Sequence, residues 1–514
     1  MGHPDRSRRP EAFRGSLLVA ILLAGCASAS TTPTGLVVDA SSTPSGPESS
    51  PTSTATAPPT SSPEPVSASL PVRGSARELS DHVVLTAPRS GGGVYVLIPV
   101  RVAPAVLALL DSTGQPRPGW PVALVGATFC NQLLPVDDGS VWVICTLENP
   151  DGNMFSPISA FAFDSNGRPL SGWPVALPGL FVTGSVVGDK LTLLVQKQLG
   201  DVIDAGHPIG EAGLLTVAPD GALASGVRMP LIEVWWRAVW AIGPDGTAYG
   251  VAPANAADPS PQERVSWITS LDLSGVRPGW PVSFDGFPSE PAAGPDGRIN
   301  LTVASSDSMT SRIVSFERGG QRVAASSAEL AIATVDAVAR AGETGGCVTF
   351  TPAPPRVATN GTVFLYSNVT GDIPVTDVFA LDPSLSIMSG WPFKPAAPLV
   401  RARPGFESEH EAGYCPGPVP PAVGPDGTLY LALQARDASV GGSLAAVGPD
   451  GRVPAGWPVE LKRPGSEFWS VVVGSDGIAY ALAIEPETRS TSSATILAIA
   501  SDSTVLWTTT VIEP

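Results

Sequence analysis

Short turn motifs alternate with apolar runs of strand type from residue 70 to the C-terminus. The turns are clearest in GPDGTAYGV at 243–251, GPDGRINLTV at 294–303, GPDGTLYLAL at 424–433 and GSDGIAYALA at 474–483. Pro followed by Asp-Gly favours a tight turn, and the β-branched and aromatic residues after it favour a strand. The pattern therefore predicts hairpins rather than helices.

A second motif ends in Gly-Trp-Pro and follows the first by one loop and one strand. Its clearest form, DSTGQPRPGWPV, runs from Asp111 to Val122. Each unit therefore reads strand A, an Asp-Gly turn, strand B, a loop, strand C, a second turn and strand D, and eight units occupy residues 70–514. Further copies of the motif lie at 164–175, 272–282, 382–393 and 450–459, and degenerate copies end at Val227, Ser326 and Trp507.

A single four-stranded unit cannot bury both of its faces, so the units must pack against one another. Radial packing of such units gives a β-propeller. We predict an all-β protein, a β-propeller of eight four-stranded blades; seven blades follow if the weak fifth unit at 287–333 merges with a neighbour. Strand D of the last unit falls within Val505 to Val511. Closure then needs no borrowed strand, and a segment near 36–39 or 70–73 that completes the last blade is the alternative.

The Gly-Trp-Pro repeats resemble those of the quinoprotein-like (PQQ-like) propeller superfamily, whose units also end in Trp. The sequence from Asp502 to Trp507 is the most similar to that superfamily's pattern. The resemblance covers residues 70–514 and implies a propeller. We expect the repeat tryptophans to wedge between adjacent sheets, namely Trp120, Trp173, Trp280, Trp391, Trp457 and Trp507.

The N-terminus has the pattern of a processing signal. A basic segment precedes the ten apolar residues Gly15 to Ala24, which are too few to span a bilayer. The following Leu-Ala-Gly-Cys sequence resembles the lipobox of bacterial lipoproteins. The resemblance implies that residues 1–25 are a signal peptide, that Cys26 receives a diacylglycerol, and that a further acyl chain such as palmitate follows. Several acyl chains anchor a protein stably.

Residues 26–69 consist mainly of Ser, Thr, Pro and Ala after the predicted lipidated cysteine. Such a segment cannot bury enough apolar surface to offset its ordering entropy. We predict a disordered tether that spaces the propeller, residues 70–514, from the lipid. The protein would then be extracytoplasmic and anchored to the bacterial cell membrane or the outer membrane.

Composition narrows the class of partner. The 514 residues include 54 Gly and 55 Pro but only 15% charged residues, which argues against coiled coils and helix bundles. The net charge of −17 would repel nucleic acid. We therefore expect a monomer whose partners are the membrane, through the acyl chains, and an envelope protein or glycan, with no nucleic acid.

Two disulfides are expected in an oxidising exterior. Cys130 and Cys145 flank the turn at 137–140 symmetrically and would face each other across a hairpin. Cys347 and Cys415 precede the A–B turns of consecutive units, so we predict a second bridge that joins two blades.

The A–B and C–D turns are short, and every long, irregular segment is a B–C or a D–A connection. Such loops on a rigid scaffold carry function, so we predict that ligands bind at the B–C/D–A face and the mouth of the channel. The densest polar cluster there runs from Phe406 to Cys415. Candidate ligand-contacting residues are Trp235, Trp236, Glu409, His410, Tyr414 and Trp469.

Motifs of known chemistry are absent from the sequence. His82, His207 and His410 lie far apart, which disfavours a zinc site. The quinone-dependent dehydrogenases of the superfamily resemble one another in an adjacent Cys-Cys pair, which does not occur here. The lipid anchor and the fold together are similar to the propeller lipoprotein of the outer-membrane β-barrel assembly machinery.

We therefore expect no catalytic residues, no metal and no cofactor, and interpret the chain as a non-catalytic binding or scaffold module for an envelope protein or glycan. The alternative is a propeller enzyme with its site at the channel mouth on the B–C/D–A face. It would be a quinone-dependent dehydrogenase-like protein or a glycan hydrolase or lyase.

Overall fold

A computed structural model of the chain describes most of the repeat region. The described residues are 66–69, 85–98, 104–147, 157–204, 207–231, 239–253, 265–304, 310–326, 330–331, 353–366, 377–400, 419–435, 439–488 and 491–512.

These residues form eight β-sheets of three to six strands, and each sheet is one blade of an eight-bladed β-propeller built on a four-stranded unit. The strand β1 (Val66–Ser69) precedes the blades. Blades 1 and 2 contain β2 (Leu85–Pro88), β3 (Val94–Ile98), β4 (Ala105–Leu110), β5 (Val122–Leu124), β6 (Ala127–Pro135), β7 (Val141–Leu147), β8 (Ile158–Phe163) and β9 (Val175–Leu177). Blades 3 and 4 contain β10 (Leu180–Val187), β11 (Lys190–Asp204), β12 (His207–Val217), β13 (Leu223–Leu231), β14 (Val239–Ile242), β15 (Ala248–Pro253), β16 (Val265–Asp272), β17 (Gly275–Val276) and β18 (Val282–Asp285).

The remaining blades follow in chain order. Blades 5 and 6 contain β19 (Phe287–Pro288), β20 (Ala292–Ala293), β21 (Ile299–Ala304), β22 (Thr310–Phe316), β23 (Arg322–Ala325), β24 (Leu330–Ala331), β25 (Arg356–Val357), β26 (Val363–Leu365) and β27 (Phe379–Leu381). Blades 7 and 8 contain β28 (Ala422–Val423), β29 (Leu429–Leu433), β30 (Ser443–Val447), β31 (Val459–Glu460), β32 (Glu467–Val473), β33 (Ala479–Thr488), β34 (Thr491–Ile499) and β35 (Val505–Ile512). In blade 6 the fourth strand is reduced to an antiparallel bridge between Val378 and Phe393.

The predicted fold class and blade count are confirmed. The weak fifth unit forms its own sheet. Its strands β21 and β22 pair antiparallel, with Ile299 opposite Phe316. The seven-bladed alternative is therefore wrong. Neighbouring strands within each blade pair antiparallel, as in blade 1, and the turn motifs connect A to B and C to D.

The A–B turn of blade 7 shows how the motif sets the hairpin. The Asp426 carboxylate accepts a hydrogen bond from the backbone N–H of Thr428 at 3.0 Å. Gly427 has a φ of +85°, which L-residues with a side chain rarely adopt. Gly424 and Thr428 close the turn through a backbone hydrogen bond of 2.8 Å. The Pro-Asp-Gly sequence therefore supplies both the side-chain acceptor and the backbone conformation that the turn requires.

Apolar side chains form eight core clusters, and each cluster lies between two neighbouring blades. Blade 8 packs against blade 1 through Ile496 and Trp507 on one side and Val96 and Leu110 on the other. The hydroxyl of Tyr480 also accepts a hydrogen bond from the Gly93 N–H at 2.9 Å. The series of inter-blade cores is therefore closed into a ring.

The repeat tryptophans lie at these inter-blade contacts, and all six are at most 8% exposed. Each indole N–H donates to a backbone carbonyl in the C–D turn of the next blade, at 2.9 to 3.3 Å. The donor and acceptor pairs are Trp120 with Ser165, Trp173 with Pro219, Trp280 with Arg318, Trp391 with Pro449, Trp457 with Ser501 and Trp507 with Ser112.

Each of these indoles also packs on an aromatic ring of strand B in its own blade, with ring centroids 5.5 to 6.2 Å apart. Trp120, for example, lies between Tyr95 of blade 1 and Phe163 of blade 2. Blades 3 and 5 lack the Gly-Trp-Pro motif, and in blade 5 the place of the strand-B aromatic is taken by Asn300. The inter-blade tryptophan and the aromatic residue on strand B therefore occur in the same blades.

Strand β1 adds a fifth strand to the outer edge of blade 8. It pairs parallel to β35, with Val66 opposite Trp507 and Ser69 opposite Thr510. The four strands of blade 8 itself come from the C-terminal part of the chain, and strand D spans Val505–Ile512 as the sequence predicts. The added strand lies at the end of the predicted tether; residues 36–39 and 70–73 lie outside the described residues.

Candidate functional site

The inner strands of four blades line a cavity of about 490 Å³ in the central channel. These strands are β2, β25, β28 and β32 of blades 1, 6, 7 and 8. Apolar side chains make up most of the wall, including Pro88, Val357, Val423, Val471 and Val473. The volume falls within the range of roughly 300–1,000 Å³ that is typical of small-molecule sites.

Trp469 is the one candidate ligand-contacting residue that falls within the described part of the chain, and it lies in this wall. It is the extra residue of a β-bulge, because strand β33 pairs with Phe468 and Ser470 on either side of it. A bulge redirects the side chain of its extra residue. The indole is half-buried and also packs against the cores on both sides of blade 8.

Arg356 is the charged residue of the cavity wall. Its Nε is buried and has no hydrogen-bond partner. The residue as a whole is half-buried and belongs to the lining of the cavity. An unpartnered buried donor costs free energy until a ligand or water supplies an acceptor.

The repeat gives no structural reason for an arginine at this position. Arg356 pairs with Phe364, the second residue of strand B in blade 6. In the other seven blades the residue that pairs with the second residue of strand B is uncharged: Ala87, Leu134, Val186, Ala241, Ala292, Ala422 and Val472. Arg356 is therefore a departure from the repeat that the sequence reasoning missed. An alignment of the eight A strands by their turns would have found it.

Two titratable groups face Arg356. Burial raises the pKa of the Glu290 carboxyl group, and the positive charge of Arg356 lowers it in part. Glu290 is nevertheless exposed to solvent, and it is not among the residues that line the cavity. Burial also raises the pKa of Tyr366, while the charge of Arg356 and its hydrogen bond lower that pKa in part.

The predicted hairpin disulfide is confirmed. Cys130 and Cys145 are paired across strands β6 and β7, and their sulfur atoms are bonded. Both residues are buried in the core between blades 1 and 2. The bridge stabilises the hairpin and lies away from the cavity.

The other candidate positions lie outside the described residues. These are Cys26, Trp235, Trp236, Cys347, Glu409, His410, Tyr414 and Cys415. His82 lies outside them as well.

Among the described residues, no three His, Cys, Asp or Glu side chains lie together as a metal site would require. The same residues include no helix of the length and apolarity needed to cross a bilayer.

Short connections occur at both rims of the ring, although the sequence predicts long segments at the B–C/D–A rim. The A–B and C–D turns are short, as in the turn at Gly424–Thr428. The first two D–A connections are also short, since only residues 125–126 separate β5 from β6 and residues 178–179 separate β9 from β10. Val125 is 78% exposed at the first of them.

No protein-family model and no curated protein matches the sequence. Among solved structures, the β-propeller domain of the trilobed protease from Pyrococcus furiosus aligns with 80% of this chain and 92% of its own length, at 9% identity and a TM-score of 0.39. Hydrazine synthase from Kuenenia stuttgartiensis aligns with 80% of this chain and 94% of its own, at 11% identity and a TM-score of 0.37.

A mutant of the Synechocystis apocarotenoid oxygenase aligns with 48% of this chain at 14% identity and a TM-score of 0.30, and the alignment spans 60% of that protein's length. These similarities carry no conclusion about activity. The assignment as an eight-bladed β-propeller rests on the strand pairing and the inter-blade cores of this chain.

Proposed function

We propose that this protein is a lipid-anchored, extracytoplasmic binding module that holds an envelope protein or glycan on the B–C/D–A face of its propeller. The anchor is the Cys26 lipid that the lipobox resemblance implies. The propeller is the rigid scaffold, and binding requires no catalytic group.

The direction of β1 carries this proposal. Strand β35 starts at the C–D turn and runs toward the opposite rim, and β1 is parallel to it. The first residue of β1, Val66, therefore lies at the rim of the short turns. A tether that arrives at that side leaves the B–C/D–A face free for a partner.

The anchor is tested by fractionation. We expect the protein with Cys26→Ser to move from the membrane fraction to the soluble fraction, since the thiol that accepts the lipid is lost. Cys130→Ser/Cys145→Ser is the matched control, because it removes cysteines that have no role in the anchor. Unchanged partitioning of the Cys26 variant would refute the anchor.

The binding face is tested by photo-crosslinking in intact cells. A photoreactive amino acid at Val125 reports on the B–C/D–A face, and one at Ile387, which is 42% exposed, reports on a C–D turn. We expect one discrete adduct from position 125 and none from position 387. Adducts at position 387 alone, or at neither position, would contradict the proposal.

A glycan hydrolase or lyase is the second candidate. The raised pKa of Glu290 opposite Arg356 favours it, because such perturbed groups cluster at catalytic sites. Release of new sugar ends from envelope glycan by the wild type, and its loss in Glu290→Gln, would support this enzyme and displace the binding module.

A further inference from the structure

We propose that the channel cavity binds a small organic monocarboxylate with an apolar body, and that Arg356 holds the carboxylate. This site is separate from the lipid anchor and from the loop-face partner of the proposed function. It stands or falls independently of both.

The charge of Arg356 selects the head group. No carboxylate of the described residues lies within ion-pair distance of this guanidinium group, and its buried Nε lacks an acceptor. A carboxylate accepts two parallel hydrogen bonds from the planar edge of a guanidinium group. A carboxylate bound in the cavity would therefore compensate the charge of Arg356, which no carboxylate of the described residues pairs with.

The rest of the wall selects the body of the ligand. The lining residues Val357, Val423 and Val473 pack against the inter-blade cores but remain partly exposed, and Trp469 adds a half-buried indole. The volume of about 490 Å³ accommodates a ligand with a ring and a short chain. An apolar body gains free energy when it leaves water for such a wall.

A single negative charge fits the site better than several. Glu290 lies within the range of Coulomb interaction with Arg356, and the chain carries a net charge of −17. Both repel a phosphate or a dicarboxylate more strongly than a monocarboxylate. The site thus combines one cation, a nearby acid and apolar walls.

The difference between Arg356 and the equivalent residues of the other blades supports the proposal independently. Seven blades build the ring with an uncharged residue at the position that Arg356 occupies. Folding of the propeller therefore does not require this charge. Arg356 lies on the inner strand of blade 6, which lines the cavity next to the inner strand of blade 7.

Isothermal titration calorimetry of the full protein with two matched probes tests the proposal. The probes are 4-phenylbutyrate and 4-phenylbutanamide, which differ only in the charge of the head group. We expect the carboxylate to bind the wild type at least about tenfold more tightly than the amide, in line with one charge-assisted hydrogen bond.

Three variants locate the interaction. Arg356→Gln should bind both probes alike, and Arg356→Lys should retain a weaker preference for the carboxylate because it keeps the charge without the planar fork. Arg452→Gln, which changes an exposed arginine in a C–D turn, should behave as the wild type. An unfolding midpoint equal to that of the wild type shows that each variant keeps the fold.

Three outcomes overturn the proposal. They are equal affinity of the wild type for the two probes, a carboxylate preference that survives in Arg356→Gln, and no heat of binding for the carboxylate at millimolar concentration. A lost lipid anchor or an absent loop-face adduct would leave these readouts unchanged, so the two proposals fail separately.

Discussion

Trp507 donates the hydrogen of its indole Nε1 to the backbone carbonyl of Ser112 at 2.9 Å, although the two residues are 395 positions apart. The hydroxyl of Thr509 makes a second such bond to the Gly114 carbonyl at 2.7 Å. Together they attach strand D of the last blade to the C–D turn of the first blade. The propeller is closed by the same indole contact that joins its other blades.

Removal of this indole donor should weaken the ring. Trp507→Phe keeps an aromatic ring but leaves the Ser112 carbonyl without its partner, so we expect a loss of about 1–3 kcal/mol in the free energy of unfolding. Leu506→Ala changes an exposed neighbour and should cost less than about 0.5 kcal/mol. Denaturant unfolding measures both, and a Trp507→Phe variant as stable as wild type would show that the bond is dispensable.

Gly119 allows close approach of blades 1 and 2. A Cβ atom there would lie 2.0 Å from the Asn166 carbonyl oxygen, and the residue has a φ of +90°. Gly126 has a similar φ of +78° but open space around it. Gly126→Ala should therefore cost only the backbone strain, about 1–2 kcal/mol, whereas Gly119→Ala should cost more than about 3 kcal/mol. Equal losses in the two variants would contradict the close approach.

The disulfide between Cys130 and Cys145 should contribute to stability. The bridge spans 15 residues, and a loop of that length corresponds to about 3 kcal/mol in the chain-entropy treatment. Cys130→Ala/Cys145→Ala should lower the free energy of unfolding by about 2–4 kcal/mol. Reductant should destabilise the wild type but not this variant; alkylation of both thiols in unreduced protein would disprove the bridge.

Alkaline pH should destabilise the ring through its buried tyrosines. Burial raises the pKa of Tyr480 to about 12, and a backbone hydrogen bond from Gly93 lowers it in part. The unfolded chain has the ordinary tyrosine pKa of about 10, so it loses the proton first. The stability that Tyr480 provides is therefore fully present below pH 10 and falls as pH rises toward 12.

Urea unfolding at pH 9, 10 and 11 checks this effect. Tyr480→Phe should be less stable than the wild type at pH 9, because it loses the contact with Gly93, and the difference should narrow at pH 11. Curves of stability against pH that stay parallel for the two proteins would contradict the assignment.

Local features of the fold follow from the sequence. The turn at Pro425-Asp426-Gly427 specifies its own geometry, and Cys130 and Cys145 are equidistant from one turn, so their pairing follows from the hairpin. Other features depend on distant partners. The Val66–Ser69 segment alternates apolar and polar residues over only four positions, in a Ser-rich context like that of the tether, and it becomes a strand by pairing with β35.

The charged residue of the cavity can be recognised from the sequence only when the repeats are compared with one another. Arg356 is one residue in a two-residue strand, and its position is unusual only relative to the inner strands of the other blades. Trp469 was predicted as a ligand contact from its place in the chain, but the bulge that orients it arises from the register of β32 and β33. Register and ring closure set the site, and both are non-local.

Ring closure is the central claim, and an engineered cross-link tests it most directly. The Oγ1 atom of Thr86 in blade 1 and the Oγ atom of Ser470 in blade 8 are 3.5 Å apart. In Thr86→Cys/Ser470→Cys, mass spectrometry of the digested protein should find these two peptides joined by a disulfide after mild oxidation. Thr86→Cys/Ser283→Cys, whose second cysteine lies in blade 4, should give no such peptide. Absence of the 86–470 bridge, or equal bridging in the control, would contradict a closed ring of eight blades.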